Sequence, residues 1–123
     1  MVLKELSEGI LGCAIEVHKR LGPGLLESAY ETCLAYELEH AGFRIDRQKP
    51  MPLHYRELAL DCGYRLDLLV NDSVIIEIKA VDTLLPIHDA QLMTYMRLAN
   101  CKLGLLINFN EKLLKHGLRR FVL

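Results

Sequence analysis

Apolar residues recur at helical spacing through the first forty positions of the chain. Between Leu3 and Leu21 they form one stripe, made of Leu3, Leu6, Ile10, Ala14, Ile15, His18 and Leu21. The segment 22–24, Gly-Pro-Gly, then interrupts the pattern, because glycine accepts positive φ angles and proline fixes its own. A second amphipathic helix is predicted from about Leu26 to Ala41. Its inner face is predicted to consist of Leu26, Ala29, Tyr30, Cys33, Leu34 and Leu38. These two helices leave apolar faces that a sheet or further helices must cover.

The middle of the chain changes to the two-residue alternation that is typical of β-strands. Pro50 and Pro52 punctuate this region, and Arg56-Glu57 is predicted as a turn. Strand segments are predicted at 43–47, 53–55, 58–60, 64–70 and 74–79. The remainder is predicted as a helix, an apolar central strand and a last strand, at about 87–100, 103–109 and 118–123. This order predicts an α/β sandwich built on a mixed sheet.

The length and composition fit one globular domain over residues 1–123. Hydrophobic residues make up 51% of the chain and charged residues 25%, which excludes a disordered chain. The cysteines lack zinc-site or CxxC spacing and are expected to be small buried side chains in a reducing compartment. No apolar run reaches the roughly 18 residues of a membrane span. We therefore expect a cytoplasmic protein without a membrane partner, and a homo-oligomer is compatible with the sequence.

The overall charge is close to neutral. Fifteen Lys and Arg residues against sixteen Asp and Glu residues give a net charge of −1, so a nucleic-acid partner must be argued from a local site. A basic group near the end of the chain is predicted to bind nucleic acid. Its members are Lys112, Lys115, Arg119 and Arg120. The alternative is a solvated charged edge that protects a terminal strand from pairing.

Charged residues inside two apolar strands indicate a chemical site. Strand side chains alternate in direction, so Glu77 and Lys79 share one face of their strand, and Asp67 lies on the neighbouring strand. Charges among apolar residues are costly unless a metal or partner compensates them. Two carboxylates here suit a hard ion such as Mg²⁺. Lys79 would then orient a water nucleophile or stabilise charge developing on a phosphate.

The loop between these strands decides whether Asp67 and Glu77 can act together. A two-residue loop at 71–72 pairs Asp67 with Ile76 and turns it away from Glu77. A three-residue loop at 71–73, or a bulge, puts both carboxylates on one face. A joint site therefore requires an odd-numbered loop or a bulged strand. The structural alternative is a surface ladder of ion pairs on a half-exposed sheet.

Two pairs of helical residues extend the candidate site. Glu27 and Tyr30 lie one turn apart on the second helix, and Gln91 and Tyr95 lie four residues apart on the third. Each pair also has a structural explanation. Glu27 would complement the helix dipole while Tyr30 packs in the core, and the Gln91–Tyr95 pair would be a polar pair at a helix edge.

The segment 22–30, with the sequence GPGLLESAY, resembles the signature of the GxxExxY proteins. These are small prokaryotic proteins of the PD-(D/E)XK nuclease superfamily, and the resemblance covers essentially the whole chain. It implies a restriction-endonuclease-like αβββαβ core with a mixed sheet flanked by helices and an extra N-terminal helix. Gln91 and Tyr95 resemble the QxxxY element of RecB-like exonucleases, which implies a catalytic role. The positions that match the GxxExxY signature are Gly24, Glu27 and Tyr30.

The same resemblance implies roles for the charged residues. Asp67 and Glu77 would hold the metal, Lys79 would be the catalytic lysine, and Glu27 would act in catalysis and assist at the metal. The implied activity is hydrolysis of DNA phosphodiester bonds by a water that Mg²⁺, or Mn²⁺, activates. The alternative is a nucleic-acid-binding or protein-interaction module that keeps the fold without turnover. Near-neutral charge favours that module, whereas the complete set of two acids and a lysine favours the enzyme.

Overall fold

The computed structural model describes residues 2–123, so Met1, the first residue of the predicted domain, lies outside the described residues. Within this range the helices are α1 (Leu3–Leu21), α2 (Glu27–His40) and α3 (Pro86–Ala99). The strands are β1 (Ile45–Tyr55), β2 (Leu58–Val70), β3 (Val74–Lys79), β4 (Leu103–Asn108) and β5 (Leu118–Val122). A short 3₁₀ helix at Leu114–Gly117, which the sequence did not predict, precedes β5.

The strands form one mixed sheet in the order β1-β2-β3-β4-β5. β3 and β4 are parallel and are joined through α3, whereas the other neighbouring strands are antiparallel. α1 and α2 pack on one face of the sheet, and α3 packs on the other. The αβββαβ core with an extra N-terminal helix is therefore confirmed.

Strands β1 and β2 are longer than the sequence predicted. The segments predicted separately at 43–47 and 53–55 join into β1, so Pro50 and Pro52 lie inside a strand. β1 is at the edge of the sheet, where a residue without an N–H group is tolerated, and the pairing register shifts between Met51 and Leu53, on either side of Pro52. The two prolines therefore interrupt the sequence pattern without ending the strand.

The predicted buried faces of the first two helices are partly wrong. Residues of α1 at spacings of three or four contact the core, and these are Leu6, Ile10, Ala14 and Val17. Ile15 lies off this stripe and is 54% exposed. Leu26 precedes α2 rather than belonging to its inner face, and it is 77% exposed. The helical period was correct, but the centre of each stripe depends on how the helix lies on the sheet.

The cysteines are less buried than the sequence predicted. Within residues 2–123 the cysteines are free thiols; Cys101 is buried, Cys13 and Cys33 are half-buried, and Cys62 is exposed, contrary to expectation. Among the same residues, no helix has the length and apolar character needed to cross a membrane.

Replacing Gly117 by alanine is expected to destabilise the fold. A Cβ atom there would lie 2.3 Å from the backbone carbonyl oxygen of Asn108, which cannot move aside cheaply. We expect Gly117→Ala to lower the free energy of unfolding by about 2 kcal/mol. The matched control is Gly12→Ala in α1, where nothing lies within 4 Å; it should raise stability by about 0.5–1 kcal/mol. Urea unfolding measures both changes, and equal stability of Gly117→Ala and wild type would contradict the expectation.

Candidate active site

The β2–β3 connection has the odd length that a joint Asp67–Glu77 site requires. Residues 71–73 connect the strands, and the antiparallel pairing extends to Leu68 and Ile76. The same register places Asp67 opposite Glu77 at the next position. The chain therefore adopts the three-residue loop and not the two-residue alternative.

Beyond Leu68 and Ile76, the carboxylates of Asp67 and Glu77 join the two strands in place of the backbone ladder. The Asp67 N–H group donates to Glu77 Oε2 at 2.9 Å, and the Ile78 N–H group donates to Asp67 Oδ2 at 2.9 Å. Each carboxylate is thus held by the backbone of the opposite strand. This reciprocal arrangement fixes the orientation of both groups before any ligand binds.

The side-chain alternation of β2 changes at Asp67. Leu66 and Leu69 both pack on the α3 side of the sheet, although they are three residues apart, while Leu68 packs on the α1–α2 side. On β1 the facing residue, Gln48, has a φ angle of 47° and does not pair with Asp67. Such irregularities re-aim side chains and are common next to functional sites. Both strands are therefore irregular at the point where the carboxylates meet.

Tyr30 of the GxxExxY signature shapes the turn before α2. Its hydroxyl donates to the Gly22 carbonyl at 2.6 Å and accepts the Leu25 N–H group at 3.0 Å. Its ring is fully buried and stacks on Phe109 with a centroid distance of 4.7 Å. Tyr30 therefore supports the structure of the turn, as the core alternative for this residue proposed.

Gly24 and Glu27 complete the approach of α2 to the sheet. Gly24 has a φ angle of 99°, a conformation open to glycine, and its N–H group donates to Asn110 Oδ1 at 3.0 Å. Glu27 is the first residue of α2. Burial raises the pKa of Glu27, the charge of Asp67 raises it further, and the Lys79 ammonium lowers it. The helix therefore brings a third carboxylate into the electrostatic environment of the sheet carboxylates.

Glu77 is buried and Asp67 is half-buried, and among residues 2–123 neither carboxylate forms an ion pair. Glu77 is 4% exposed. Burial and the negative charge of Asp67 raise its pKa from 4.5 to about 8, while the Asp67 N–H group and Lys79 lower it. Burial also raises the pKa of Asp67. Lys79 is half-buried and, among residues 2–123, has no carboxylate oxygen within 4.0 Å. A surface ion-pair ladder does not describe this arrangement.

The Gln91–Tyr95 pair belongs to α3, which packs on the face of the sheet opposite α1 and α2. The Tyr95 ring stacks on Tyr64 of β2 with a centroid distance of 5.0 Å. Burial raises the pKa of Tyr95, the charges of Glu77 and Asp67 raise it further, and a hydrogen bond with Gln91 lowers it. The structure therefore brings this predicted pair close to the site.

The sequence analysis missed two polar residues beside Asp67. The Gln48 side chain donates through Nε2 to Asp67 Oδ1 at 3.2 Å and to Glu31 Oε1 at 2.5 Å. Glu31 is 8% exposed and forms an ion pair with Arg47 at 3.1 Å. Glu31 follows Glu27 by four residues, so helical spacing could have suggested it. Gln48 had no such signal, because its position depends on the pairing of β1 with β2.

The four basic residues near the end of the chain do not share one face. Lys112 and Lys115 lie beside α1, on the rim of a cavity of about 420 Å³. Arg119 lies on the opposite, α3 side and forms an ion pair with Asp89. Arg120 is the next residue on β5, so its side chain points away from that of Arg119. The predicted basic rim is thus divided between the two sides of the sheet.

The donor set at the end of the β2–β3 ladder fits a hard divalent cation. Among residues 2–123, no group of three or more His, Cys, Asp or Glu side chains is close enough to hold a metal ion, so Glu27 is not part of a three-carboxylate cage. Mg²⁺, however, is commonly bound by one or two carboxylates and keeps several waters. The raised pKa values of Asp67 and Glu77 show that negative charge is disfavoured at these carboxylates. A bound cation would compensate that charge, and the carboxylate oxygens would be its ligands.

A family model for the PD-(D/E)XK nuclease superfamily matches residues 4–121. The chain belongs to this superfamily. Comparisons with curated proteins and with solved structures give no match. A five-stranded mixed sheet flanked by three helices agrees with the restriction-endonuclease-like fold of PD-(D/E)XK proteins. Members of the superfamily are usually hydrolytic nucleases that use divalent metal ions.

Proposed function

We propose that this PD-(D/E)XK protein is a Mg²⁺- or Mn²⁺-dependent nuclease that hydrolyses DNA phosphodiester bonds, with one nuclease-like domain over residues 1–123. The reciprocal bonding of Asp67 and Glu77 to the opposite strand carries the proposal. It holds the buried carboxylate of Glu77 and the half-buried carboxylate of Asp67 side by side at the end of the β2–β3 ladder, with Lys79 two residues beyond Glu77. The GxxExxY and QxxxY resemblances support the same assignment.

Asp67 and Glu77 are the residues that would hold the ion. When bound, Mg²⁺ supplies charge neutralisation at a phosphate and acidifies water. Because burial raises the pKa of Glu77, this carboxyl group would have to give up a proton in order to hold the cation. Lys79 orients the attacking water or stabilises negative charge on the phosphate, since it forms no ion pair with a described carboxylate.

The flanking residues support these groups. Glu27, at the start of α2, acts on a water in the site, and Gln91 and Tyr95 orient the phosphate or Lys79 from α3. Substrate binding rests on local contacts, because the net charge of −1 offers little long-range attraction to DNA. We propose that the exposed cations on the α1 side, Lys112 and Lys115, with Arg119 and Arg120 on β5, contribute phosphate contacts.

A non-catalytic module with the same fold is the second candidate function. The near-neutral charge favours it, because duplex-binding proteins usually carry an excess of Lys and Arg. Such a module would bind nucleic acid or protein without metal-dependent cleavage. The two candidates therefore differ in metal binding and turnover.

Titration with Mn²⁺ tests the proposed function directly. We expect wild type to bind Mn²⁺ and Asp67→Ala to bind it at least about tenfold more weakly, since a ligand loss should exceed the usual effect of an outer-shell change. The matched control is Asp61→Ala, an exposed aspartate on the same strand. A plasmid-cleavage assay in Mg²⁺ and in EDTA is run in parallel. If the wild-type protein neither binds Mn²⁺ nor cuts DNA, the result would contradict the nuclease proposal and favour the non-catalytic module.

A further inference from the structure

The backbone at Gln48 is in a conformation that strands rarely contain. Its φ angle of 47° lies in the left-handed region, which is costly for a residue with a Cβ atom. The flanking residues Arg47 and Lys49 pair normally with β2, while Gln48 and its facing residue Asp67 do not pair. Among the described residues, the other non-glycine positive φ angles fall in turns or at a helix end. β1 therefore has a left-handed residue at Gln48, directly opposite Asp67.

The distortion brings one amide group between two carboxylates. Gln48 Nε2 lies 2.5 Å from Glu31 Oε1 and 3.2 Å from Asp67 Oδ1. An amide nitrogen carries two hydrogens, so it can donate one to each acid. Gln48 therefore links the buried acid of α2 to the carboxylate of β2.

Glu31 is a firm anchor for this amide. Its side chain is 10% exposed and accepts hydrogen bonds from Arg47 Nε at 3.3 Å and Nη2 at 3.1 Å. Arg47 Nη2 also donates to Thr32 Oγ1 at 2.8 Å. Arg47 thus neutralises Glu31, and its position is fixed by two residues of α2. The Gln48 amide is attached to a part of the molecule that does not depend on a bound ligand.

An amide suits this position better than a charged group. Asp67 already accepts the Ile78 N–H group on Oδ2, so the Gln48 bond on Oδ1 holds the second oxygen. A carboxylate offers about four lone-pair sites, which leaves room for a cation after both bonds are made. A lysine or arginine in place of Gln48 would compete with a cation, and an acid would repel Asp67 and Glu31. A neutral donor holds the carboxylate without changing its charge.

We propose that Gln48 is a positioning residue that orients the Asp67 carboxylate for metal binding, with the Glu31–Arg47 ion pair as its anchor. The proposal rests on the proposed function only in assigning Asp67 to the metal. Gln48 is exposed, so its substitution removes no core packing. Its contribution to the site can therefore be separated from a contribution to folding.

Two substitutions test the proposal. Gln48→Met keeps the volume of the side chain and removes the donor. Gln48→Gly also removes the donor, and glycine accepts the positive φ angle without strain. The glycine variant therefore remains informative if Gln48→Met fails to fold. Arg56→Met and Arg56→Gly are matched controls, because Arg56 lies at the tip of the same hairpin with a φ angle of 52°. We expect both Gln48 variants to bind Mn²⁺ about tenfold more weakly than wild type, with a cooperative urea transition that shows each variant to be folded. The Arg56 variants should bind like wild type.

A second readout does not depend on metal. The Ile78 amide proton reports on the Asp67 carboxylate, because it donates to Asp67 Oδ2. In ¹H–¹⁵N spectra of the metal-free protein, its resonance should move in both Gln48 variants and stay in place in both Arg56 variants. The proposal would be overturned if Gln48→Met bound Mn²⁺ as tightly as wild type does. It would also be overturned if the Ile78 resonance of Gln48→Met stayed at its wild-type position. If wild type binds no Mn²⁺ while the Ile78 resonance moves, the metal assignment fails and the orientation of Asp67 by Gln48 stands.

Discussion

Glu77→Gln is expected to abolish metal-dependent cleavage and, without metal, to make the protein more stable at pH 7. The substitution removes one of the two ligand carboxylates, so we expect the cleavage rate to fall at least about 10³-fold. Its amide oxygen can still accept the Asp67 N–H group, so the strand contact is retained. Loss of function and gain of stability in the same variant would distinguish a metal ligand from a structural acid.

The gain in stability follows from the direction of the pKa shift. Burial and Asp67 raise the pKa of Glu77 from 4.5 to about 8 in the folded protein. Between these pH values the folded protein keeps a proton that the unfolded chain has released, so the stability of wild type falls as pH rises. Glu77→Gln does not titrate. Its advantage should be near zero at pH 4 and on the order of 3 kcal/mol at pH 7.

Thermal unfolding in EDTA at pH 4, 7 and 8.5 measures this effect. The expected stabilisation corresponds to a rise of roughly 10 °C in Tm at pH 7. The exposed Glu8→Gln is the control, and it should change neither the Tm nor its pH dependence. Added Mn²⁺ should stabilise wild type and have little effect on Glu77→Gln. A variant that is less stable than wild type at pH 7 would indicate that Glu77 acts as a structural anion.

Lys79→Met is expected to stop cleavage while keeping metal binding. The substitution retains the length of the side chain and removes its charge, and Lys79 forms no ion pair with a described carboxylate that would be lost. We expect a fall of about 10²–10³-fold in the cleavage rate, the usual effect of removing a group that stabilises charge in the transition state. Mn²⁺ should bind as tightly as in wild type or more tightly, because a positive charge beside the acids is gone.

Single-turnover cleavage of labelled DNA and Mn²⁺ titration together test this expectation. Lys102→Met, at an exposed lysine before β4, is the control and should cut DNA at the wild-type rate. If Lys79→Met cuts DNA at the wild-type rate, Lys79 has no role in the cleavage step. A loss of Mn²⁺ binding would show instead that Lys79 supports the arrangement of Asp67 and Glu77.

Much of the architecture could be predicted because it depends on local periodicity. The extents of α1 and α2, the turn at residues 56–57 and the strands that carry Asp67 and Glu77 agree with the structure. The separate segments predicted around Pro50 and Pro52 were wrong, because the tolerance of a strand for proline depends on its place in the sheet. A sequence pattern does not say which strand is at the edge.

The charged centre of the candidate site was also visible in the sequence. Acids and a lysine within apolar strands are unusual enough to single out Asp67, Glu77 and Lys79. The pattern left the loop between their strands undecided between two and three residues, and the two choices place Asp67 on opposite faces. The observed register resolves this choice.

The amino-acid pattern therefore determined the elements and the residues able to perform chemistry, because both follow from side-chain type and local spacing. The pairing of β1 with β2, the positive φ angle of Gln48 and the contact of its amide with Glu31 and Asp67 depend on residues far apart in the chain. The raised pKa of Glu77 likewise depends on burial. These features were decided by the tertiary structure, because they exist only when separate segments exclude water from the same place.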